Sequence, residues 1–163
     1  MTRPAFSRIA VLAGVVVVLD QITKLIALAR LVPGTPLGVI DGFLALTLVL
    51  NPGLAFGILA SVPTGWRWVV ALLSVVALVI LVQVALRILP RGGWPDHGGL
   101  GLIFGGAIGN LIDRARFGAV VDFVDAHYGG YHWPAFNVAD SAITVGVILL
   151  AVHLMLARPS GER

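Results

Sequence analysis

The chain has 163 residues, of which 58% are hydrophobic and only 12% are charged. Soluble domains contain about 45–50% apolar and about 25% charged residues, so this composition indicates an integral membrane protein. The basic residues number 11 against 8 acidic ones and form no cluster, which argues against nucleic acid as a partner. Because the chain has no cysteine, disulfides and thiolate chemistry are excluded.

An apolar run predicts the first transmembrane helix over about 9–31. At 1.5 Å per residue, about 20 residues span the hydrocarbon core of roughly 30 Å. A cleavable signal peptide is the alternative, with Arg3 and Arg8 ahead of the apolar stretch. That stretch ends at Asp20, well before the possible cleavage site at Ala27-Leu28-Ala29. We therefore expect a membrane-spanning helix here.

Prolines and glycines recur through the next segment, residues 33–65, and make a continuous helix implausible there. We expect this segment to lie outside the membrane. Within it, Phe43–Leu50 is short, rich in β-forming residues and bounded by turn residues, so it predicts a strand. A small sheet lying on the membrane follows from this pattern.

Three further apolar stretches predict spans over about 66–89, 100–116 and 138–157. Trp66 is an interface anchor for the second span, and Pro90–Gly99 is a short turn. The third span is rich in glycine, which allows helix backbones to approach closely, so it should occupy the centre of the bundle. Residues 117–136 form a second extramembrane segment with a turn at Gly129-Gly130.

Four spans place both termini on the same side of the membrane. The positive-inside rule favours the cytoplasm for that side. Six arginines lie there (Arg3, Arg8, Arg87, Arg91, Arg158 and Arg163) and four lie opposite (Arg30, Arg67, Arg114 and Arg116). The sequence therefore predicts one all-α integral membrane domain over 1–163, with a small extracytoplasmic β-sheet segment and a loop between helices.

Polar residues within the spans are the first candidates for a site, because charge inside a bilayer is costly. Asp20 and Lys24 are four residues apart, so they share a helix face and can neutralise one another. They serve either a site or helix packing alone. Asn110 and Arg114 have the same spacing, whereas we expect Asp113 to point elsewhere and to pair with Arg116 or Arg114. For these three residues the pattern favours a scaffold role over chemistry.

The second extramembrane segment and the start of the fourth span carry further polar residues. Asp122 and Asp125 face opposite sides of an extended segment, so only one of them can enter a given cleft. The alternative is that both are solvated acids of a loop. Asn137 as N-cap with Asp140 at the third helical position makes a capping arrangement. If Asp140 projects inward instead, Ser141 and Thr144 lie on nearly the same face and could hydrogen-bond around it.

These residues restrict the chemistry that a site can perform. The chain has no serine-nucleophile motif and no zinc-binding histidine motif, and its four histidines are scattered. The remaining route to hydrolysis is a pair of aspartate carboxylates. A pair of aspartates at hydrogen-bonding distance holds one proton near neutral pH, because both cannot ionise easily. Such a pair can deprotonate an attacking water while protonating the carbonyl oxygen.

Five short blocks resemble the ordered motifs of lipoprotein signal peptidase (signal peptidase II). They are DQITK (20–24), NPGLAFGIL (51–59), GGAIGNLIDR (105–114), VVDF (120–123) and FNVAD (136–140). Leu54 stands where the second block would have alanine, a mild departure. The blocks occur in order across most of the chain, which is more specific than any one of them.

The resemblance implies an intramembrane aspartyl peptidase that needs no cofactor and no metal. Its catalytic pair would be Asp122 and Asp140. Asp125 matches no essential position, and we assign it to the surface. Other motif positions imply roles in shaping the site or binding substrate, namely Asp20, Lys24, Asn51, Gly105, Asn110, Arg114 and Asn137.

The substrate implied by the resemblance is a prolipoprotein whose cysteine already carries a diacylglyceryl group, cut just before that cysteine. We expect a monomeric, multi-pass protein of the bacterial inner membrane in contact with membrane lipid. Two alternatives come from other classes. Intramembrane charges also mark proton-coupled transporters and channels, and they can serve as assembly contacts in a structural membrane subunit.

Overall fold

The computed structural model describes residues 3–53, 67–88 and 93–156. Within these residues the chain forms four helices and one small antiparallel sheet. The helices are α1 (Arg3–Arg30), α2 (Arg67–Ile88), α3 (Trp94–Phe117) and α4 (Val138–Leu156), and the strands are β1 (Leu37–Ile40), β2 (Leu44–Asn51), β3 (Val120–Tyr128) and β4 (Tyr131–His132). Expectations for residues 54–66, 89–92 and 157–163, including Leu54, Trp66, Arg91 and Arg158, lie outside the described residues.

Two helices among the described residues are long and apolar enough to cross a membrane, over Ala5–Arg30 and Trp68–Arg87. The apolar part of α4 is shorter, over Val138–His153. α1 has 28 residues, which at 1.5 Å per residue corresponds to about 42 Å. All four predicted spans therefore coincide with helices, although length and composition mark only two of these as candidate spans.

α3 begins earlier than the sequence pattern predicts. The predicted turn over Pro90–Gly99 is wrong from Trp94 onward, where the helix has already started. Pro95 is compatible with the first helical turn because its missing N–H would have no partner there. The Asp96 carboxylate also accepts a hydrogen bond from the Gly93 backbone N–H at 2.7 Å. These two features start the helix six residues before the apolar stretch.

The strands pair in the order β1-β2-β3-β4. The strand predicted at Phe43–Leu50 is confirmed as β2. The second segment, over about 117–136, is largely strand, because β-forming residues from Val120 onward pair with β2 and satisfy its backbone hydrogen bonds. The turn between β3 and β4 is at Gly129 and Gly130, as predicted, with φ of 56° and 85°. Both segments that were predicted to lie outside the membrane therefore contribute strands to one sheet.

α3 occupies the centre of the bundle and contacts each of the other three helices, as its glycines predict. A Cβ added at Gly105 would lie 2.6 Å from the Val16 Cβ and 2.8 Å from the Ala13 carbonyl oxygen. At Gly109 an added Cβ would lie 2.5 Å from Oδ2 of Asp20. Glycine is required at these positions because α1 and its buried acid approach the α3 backbone so closely.

The connections place all four strands at one end of the helices. The strands follow the last residue of α1 and of α3 and precede the first residue of α2 and of α4. At the opposite end, Arg8 stacks over the Trp94 ring at 4.1 Å and His153 contacts Asp96 at 2.7 Å. The two ends therefore differ in structure, and the candidate acids Asp122 and Asp140 lie at the end that carries the sheet.

Candidate active site

Asp122 lies on β3 and is only 2% exposed. Its two carboxylate oxygens accept hydrogen bonds from two amide side chains. Asn137 donates to Oδ1 at 2.8 Å, and Asn51, at the end of β2, donates to Oδ2 at 3.0 Å. A buried carboxylate with both oxygens bonded is held in one orientation.

Asp140 lies in the first turn of α4 and takes part in the predicted cap. The Asn137 side chain accepts a hydrogen bond from the Asp140 N–H at 2.9 Å, and Asp140 accepts one from the Asn137 N–H at 3.3 Å. This reciprocal arrangement confirms the capping prediction. The other oxygen of Asp140 accepts a bond from Nδ2 of Asn110 at 2.8 Å. Capping and projection toward a cleft are therefore compatible in this residue.

Asn137 connects the two aspartates. It is fully buried, and besides Asp122 its Nδ2 donates to the Val121 carbonyl oxygen at 3.2 Å and to Oδ1 of Asn110 at 3.3 Å. Asn110 in turn bonds Asp140, so a chain of two amides runs between the carboxylates. Amides donate and accept without carrying charge, which suits them to positioning two acids in one site.

Lys24 supports this network from α1. Its ammonium contacts Asp20 at 2.9 Å, Asp113 at 2.8 Å and Oδ1 of Asn110 at 2.9 Å. The side chain is 2% exposed, so all three of its N–H donors have partners in a buried setting. The predicted Asp20–Lys24 pair is confirmed, and it forms part of a larger cluster.

The predicted partners of Asp113 are wrong. Asp113 is buried, bonds Lys24 and accepts the Val121 N–H at 3.0 Å, whereas Arg116 donates to Gln21 at 3.4 Å. The reason is geometric, because Asp113 follows Asn110 by three residues and shares its helix face. That face packs on α1, where Lys24 supplies the charge.

Arg114 binds the chain after β2 rather than an acid. Its Nη2 donates to the Gly53 carbonyl oxygen at 2.9 Å, and its Nη1 donates to the Asn110 carbonyl oxygen at 3.3 Å. The side chain also borders the cleft that contains both candidate acids. A positive charge is thus available beside the two carboxylates.

Both candidate acids line a cleft of about 970 Å³. Its walls are mainly apolar side chains of α2, α3 and α4, and the segment 133–136 borders it on the sheet side. Polar groups converge at one part of this cleft, namely Asn51, Asn110, Arg114, Asp122 and Asp140. Ser141 and Thr144 also line it, but their hydroxyls donate to the backbone carbonyl oxygens of Asn137 and Asp140, so the expected bonds around the Asp140 carboxylate do not form.

Burial, followed by the charge of the neighbouring Asp140, raises the pKa of Asp122 to about 7. The hydrogen bonds from Asn51 and Asn137 and the charge of Lys24 act in the opposite direction. Desolvation and like-charge repulsion outweigh these contacts. Near neutral pH, a proton on Asp122 is therefore available.

The structure separates the other predicted residues by position. Gly105 faces α1 and lies away from the cleft. Asp125 does not line the cleft and is half-buried on the sheet, where it bonds His132.

Gln21 was not selected from the sequence, yet its amide donates to Asp20, to Asp113 and to the Gly109 carbonyl oxygen. Its place beside Asp20 in the first motif block was the available signal.

Comparison with known proteins identifies the family. The sequence model of the signal peptidase (SPase) II family matches residues 12–156. The lipoprotein signal peptidase of Desulforapulum autotrophicum is 43% identical over 162 residues, covering 95% of this chain and 96% of that protein. The lipoprotein signal peptidase of Oleidesulfovibrio alaskensis is 45% identical over 154 residues, covering 93% and 97%.

The fold has a solved counterpart. A bacterial membrane enzyme, determined by the in meso method at 2.3 Å resolution, superposes with a TM-score of 0.73. The two sequences are 33% identical, and the match covers 95% of this chain and 93% of that one. The structural likeness agrees with the sequence matches. The chain belongs to the signal peptidase II family.

Proposed function

We propose that this chain is an aspartyl endopeptidase that removes the signal peptide of diacylglyceryl-modified bacterial prolipoproteins, cutting just before the lipid-modified cysteine. The names of its relatives support the substrate class. The observation that carries the mechanism is that Asp122 and Asp140 border one cleft and are joined through Asn137 and Asn110.

The proposed reaction uses the two carboxyl groups as acid and base. The pair holds one proton near neutral pH, in keeping with the raised pKa of Asp122. The ionised member removes a proton from water as the oxygen attacks the scissile carbonyl, and the protonated member donates to the carbonyl oxygen. Collapse of the intermediate then breaks the C–N bond. The leaving nitrogen takes the proton that came from water, and one hydroxyl of the intermediate returns its proton to the other carboxylate, so the pair again holds one proton.

The remaining predicted residues act as supports in this proposal. Asn51, Asn110 and Asn137 hold the carboxylates, while Asp20 and Lys24 anchor Asn110 from α1. Arg114 fixes the chain at Gly53 beside the cleft. Gly105 acts only by permitting α1 to approach α3.

The apolar walls of the cleft suit a substrate that carries lipid. Acyl chains can stay in an apolar setting while the peptide reaches the carboxylates, at about 0.8 kcal/mol for each CH₂ buried. We further propose that all four helices span the bacterial inner membrane as one monomeric domain, with both termini cytoplasmic. The sheet would then lie on the extracytoplasmic side, where a secreted precursor presents its cleavage site.

The direct test is cleavage by the purified protein in detergent micelles. A synthetic precursor with a diacylglyceryl-cysteine should yield a free signal peptide, cut immediately before that cysteine. The same peptide without the lipid should be cut slowly or not at all. Absence of cleavage by folded protein, or cleavage at another bond, would refute the proposal. A transporter or an assembly subunit would release no peptide.

A further inference from the structure

Three potential metal ligands converge on the sheet, away from the cleft. Asp125 and His127 lie two residues apart on β3, so their side chains project from the same face of the strand. His132 on β4 is the cross-strand partner of His127. One potential ligand atom from each of the three side chains lies within 4.8 Å of the other two. We call this group the sheet cluster.

The distances within the sheet cluster suit a tetrahedral ion. Nδ1 of His132 lies 2.9 Å from Oδ1 and 3.0 Å from Oδ2 of Asp125, and Nδ1 of His127 lies 3.9 Å from Oδ2. Zinc binds nitrogen and carboxylate oxygen at about 2.0–2.2 Å, so tetrahedral ligands lie roughly 3.3–3.5 Å from one another. The two Asp125–histidine separations lie on either side of this value, and the ligand atoms of His127 and His132 lie within 4.8 Å of each other.

A second observation also favours a bound cation in the sheet cluster. Nδ1 of His127 is buried and has no hydrogen-bond partner among the described residues. A bond between Asp125 and His132 alone accounts for His132 but leaves this nitrogen unsatisfied, which is uncommon for buried polar atoms. A cation between the three side chains would satisfy it. The rings of His127 and His132 are stacked with their centroids 4.9 Å apart, so a second imidazole lies beside this nitrogen.

We propose that Asp125, His127 and His132 bind a divalent transition-metal ion, with Zn²⁺ as the best fit. Imidazole with carboxylate suits zinc, copper and nickel, and three protein ligands leave a fourth position for water. The ion would join β3 to β4 across the Gly129-Gly130 turn. Because residues 133–136 follow His132 and border the cleft, the ion would also stiffen the rim of the cleft. The site is structural and is independent of the proposed peptidase chemistry.

The test is metal binding by the full-length protein in detergent, purified without a polyhistidine tag. We expect Co²⁺ to bind at one ion per chain with the visible absorption of a tetrahedral site, and Zn²⁺ to displace it. His132→Ala should weaken binding by at least about tenfold, since the loss of an outer-shell partner alone costs about 10–100-fold. His132 is 59% exposed, so this change should not disturb folding.

His153→Ala is the matched control, because it removes the imidazole of another histidine–carboxylate pair, at the opposite end of the helices. Binding should be unchanged in this variant. Histidine ¹⁵N spectra of the wild type provide a readout without mutation, with zinc shifting the His127 and His132 resonances alone. The proposal is overturned by no saturable binding in the wild type, by undiminished binding in His132→Ala, or by zinc shifts confined to other histidines.

Discussion

The candidate acids differ in how the chain holds them. Asp122 is fixed by amides from two distant segments, Asn51 and Asn137, whereas Asp140 is fixed partly by the cap of its own helix. Asn137 serves both acids, so one buried amide sets their relative position. At this scale the site is a small hydrogen-bonded network in which each acid can be tested separately.

Asp122→Asn and Asp140→Asn should each lower kcat/KM by about 10²–10⁴-fold or more, the usual contribution of acid–base catalysis. The amide keeps the shape of the side chain but cannot hold and relay a proton. The measurement is cleavage of the lipid-modified precursor, with thermal unfolding as a check of folding. Asp41→Asn, at the exposed β1–β2 turn, is the control and should cleave like wild type. Near-normal turnover in either active-site variant would contradict the assignment.

The pKa of Asp122 predicts a pH dependence. Activity should fall as the pH rises through about 7, because the proton held by the pair is then lost. The same shift affects stability. Folding raises the pKa of Asp122 from 3.8 to about 7. The contribution of this group to the free energy of unfolding is therefore complete below pH 3.8 and is lost as the pH rises through about 7. Asp122→Asn should therefore show less loss of stability over this range.

Two measurements check this prediction. A pH–rate profile should have a descending limb near neutrality. As the pH rises to about 7, the melting temperature of the wild type should fall more than that of Asp122→Asn. A rate that stays constant into alkaline pH would show that no proton on the pair is required.

At the scale of elements, the cluster around Lys24 joins three helices, α1, α3 and α4, to the strand β3. Asp20 on α1 accepts the Ala139 N–H of α4 at 3.0 Å, and Asp113 on α3 accepts the Val121 N–H of β3. Lys24 bonds both acids. One buried cation therefore pairs with both of the acids that tie α1, α3, α4 and β3 together.

Lys24→Met should destabilise the fold by about 3–5 kcal/mol, because it leaves two buried carboxylates without their cation. Changing Asp20 and Asp113 to asparagine in the same chain removes those charges, so this triple variant should recover part of the loss. Thermal unfolding in detergent measures both. If the triple variant is no more stable than Lys24→Met, the unpaired-charge explanation fails.

The contact between α1 and α3 predicts a difference between two glycines of one helix. Gly105→Ala should destabilise by about 1–3 kcal/mol, because its Cβ would overlap Val16 and Ala13. Gly98→Ala is the matched control, since its Cβ would meet only Leu149 at 3.6 Å. Removing a helical glycine there should be neutral or stabilising by up to about 1 kcal/mol. Equal melting temperatures for the two variants would show that the helices can separate without cost.

At the scale of the whole molecule, the two ends of the bundle are unlike. The strands and candidate acids lie at one end, and the Arg8–Trp94 and Asp96–His153 contacts lie at the other. The chain passes between these ends once in each helix. An enzyme for secreted precursors requires the sheet end to face out of the cytoplasm.

Cysteine labelling tests this orientation cleanly, because the chain has no cysteine of its own. In spheroplasts, a membrane-impermeant maleimide should label Gly38→Cys, at the sheet end, and should leave Gly93→Cys unlabelled until the membrane is broken. Both positions are exposed, so access depends on the side of the membrane. The reverse pattern would place the candidate acids on the cytoplasmic side and contradict the proposed orientation.

Features that depend on neighbours within a few residues were predictable from the sequence. Apolar runs and Pro/Gly punctuation located the helices and β2, and the spacing of Asp20 with Lys24 and of Asn137 with Asp140 predicted real contacts. The start of α3 was not found by hydropathy, because the polar first turn of a helix is determined by capping. Capping acts through individual hydrogen bonds, and an average over many residues hides them.

Contacts across the chain were decided only by the tertiary structure. Asp113 turns to Lys24 because α1 packs on its face of α3, and Asp122 faces the cleft because β3 pairs with β2 in one particular register. His127 and His132 meet because β4 pairs with β3 across a two-glycine turn. Periodicity assigns a side chain to a face of its own element. Which element covers that face depends on packing and strand register, and these join residues that are far apart in sequence.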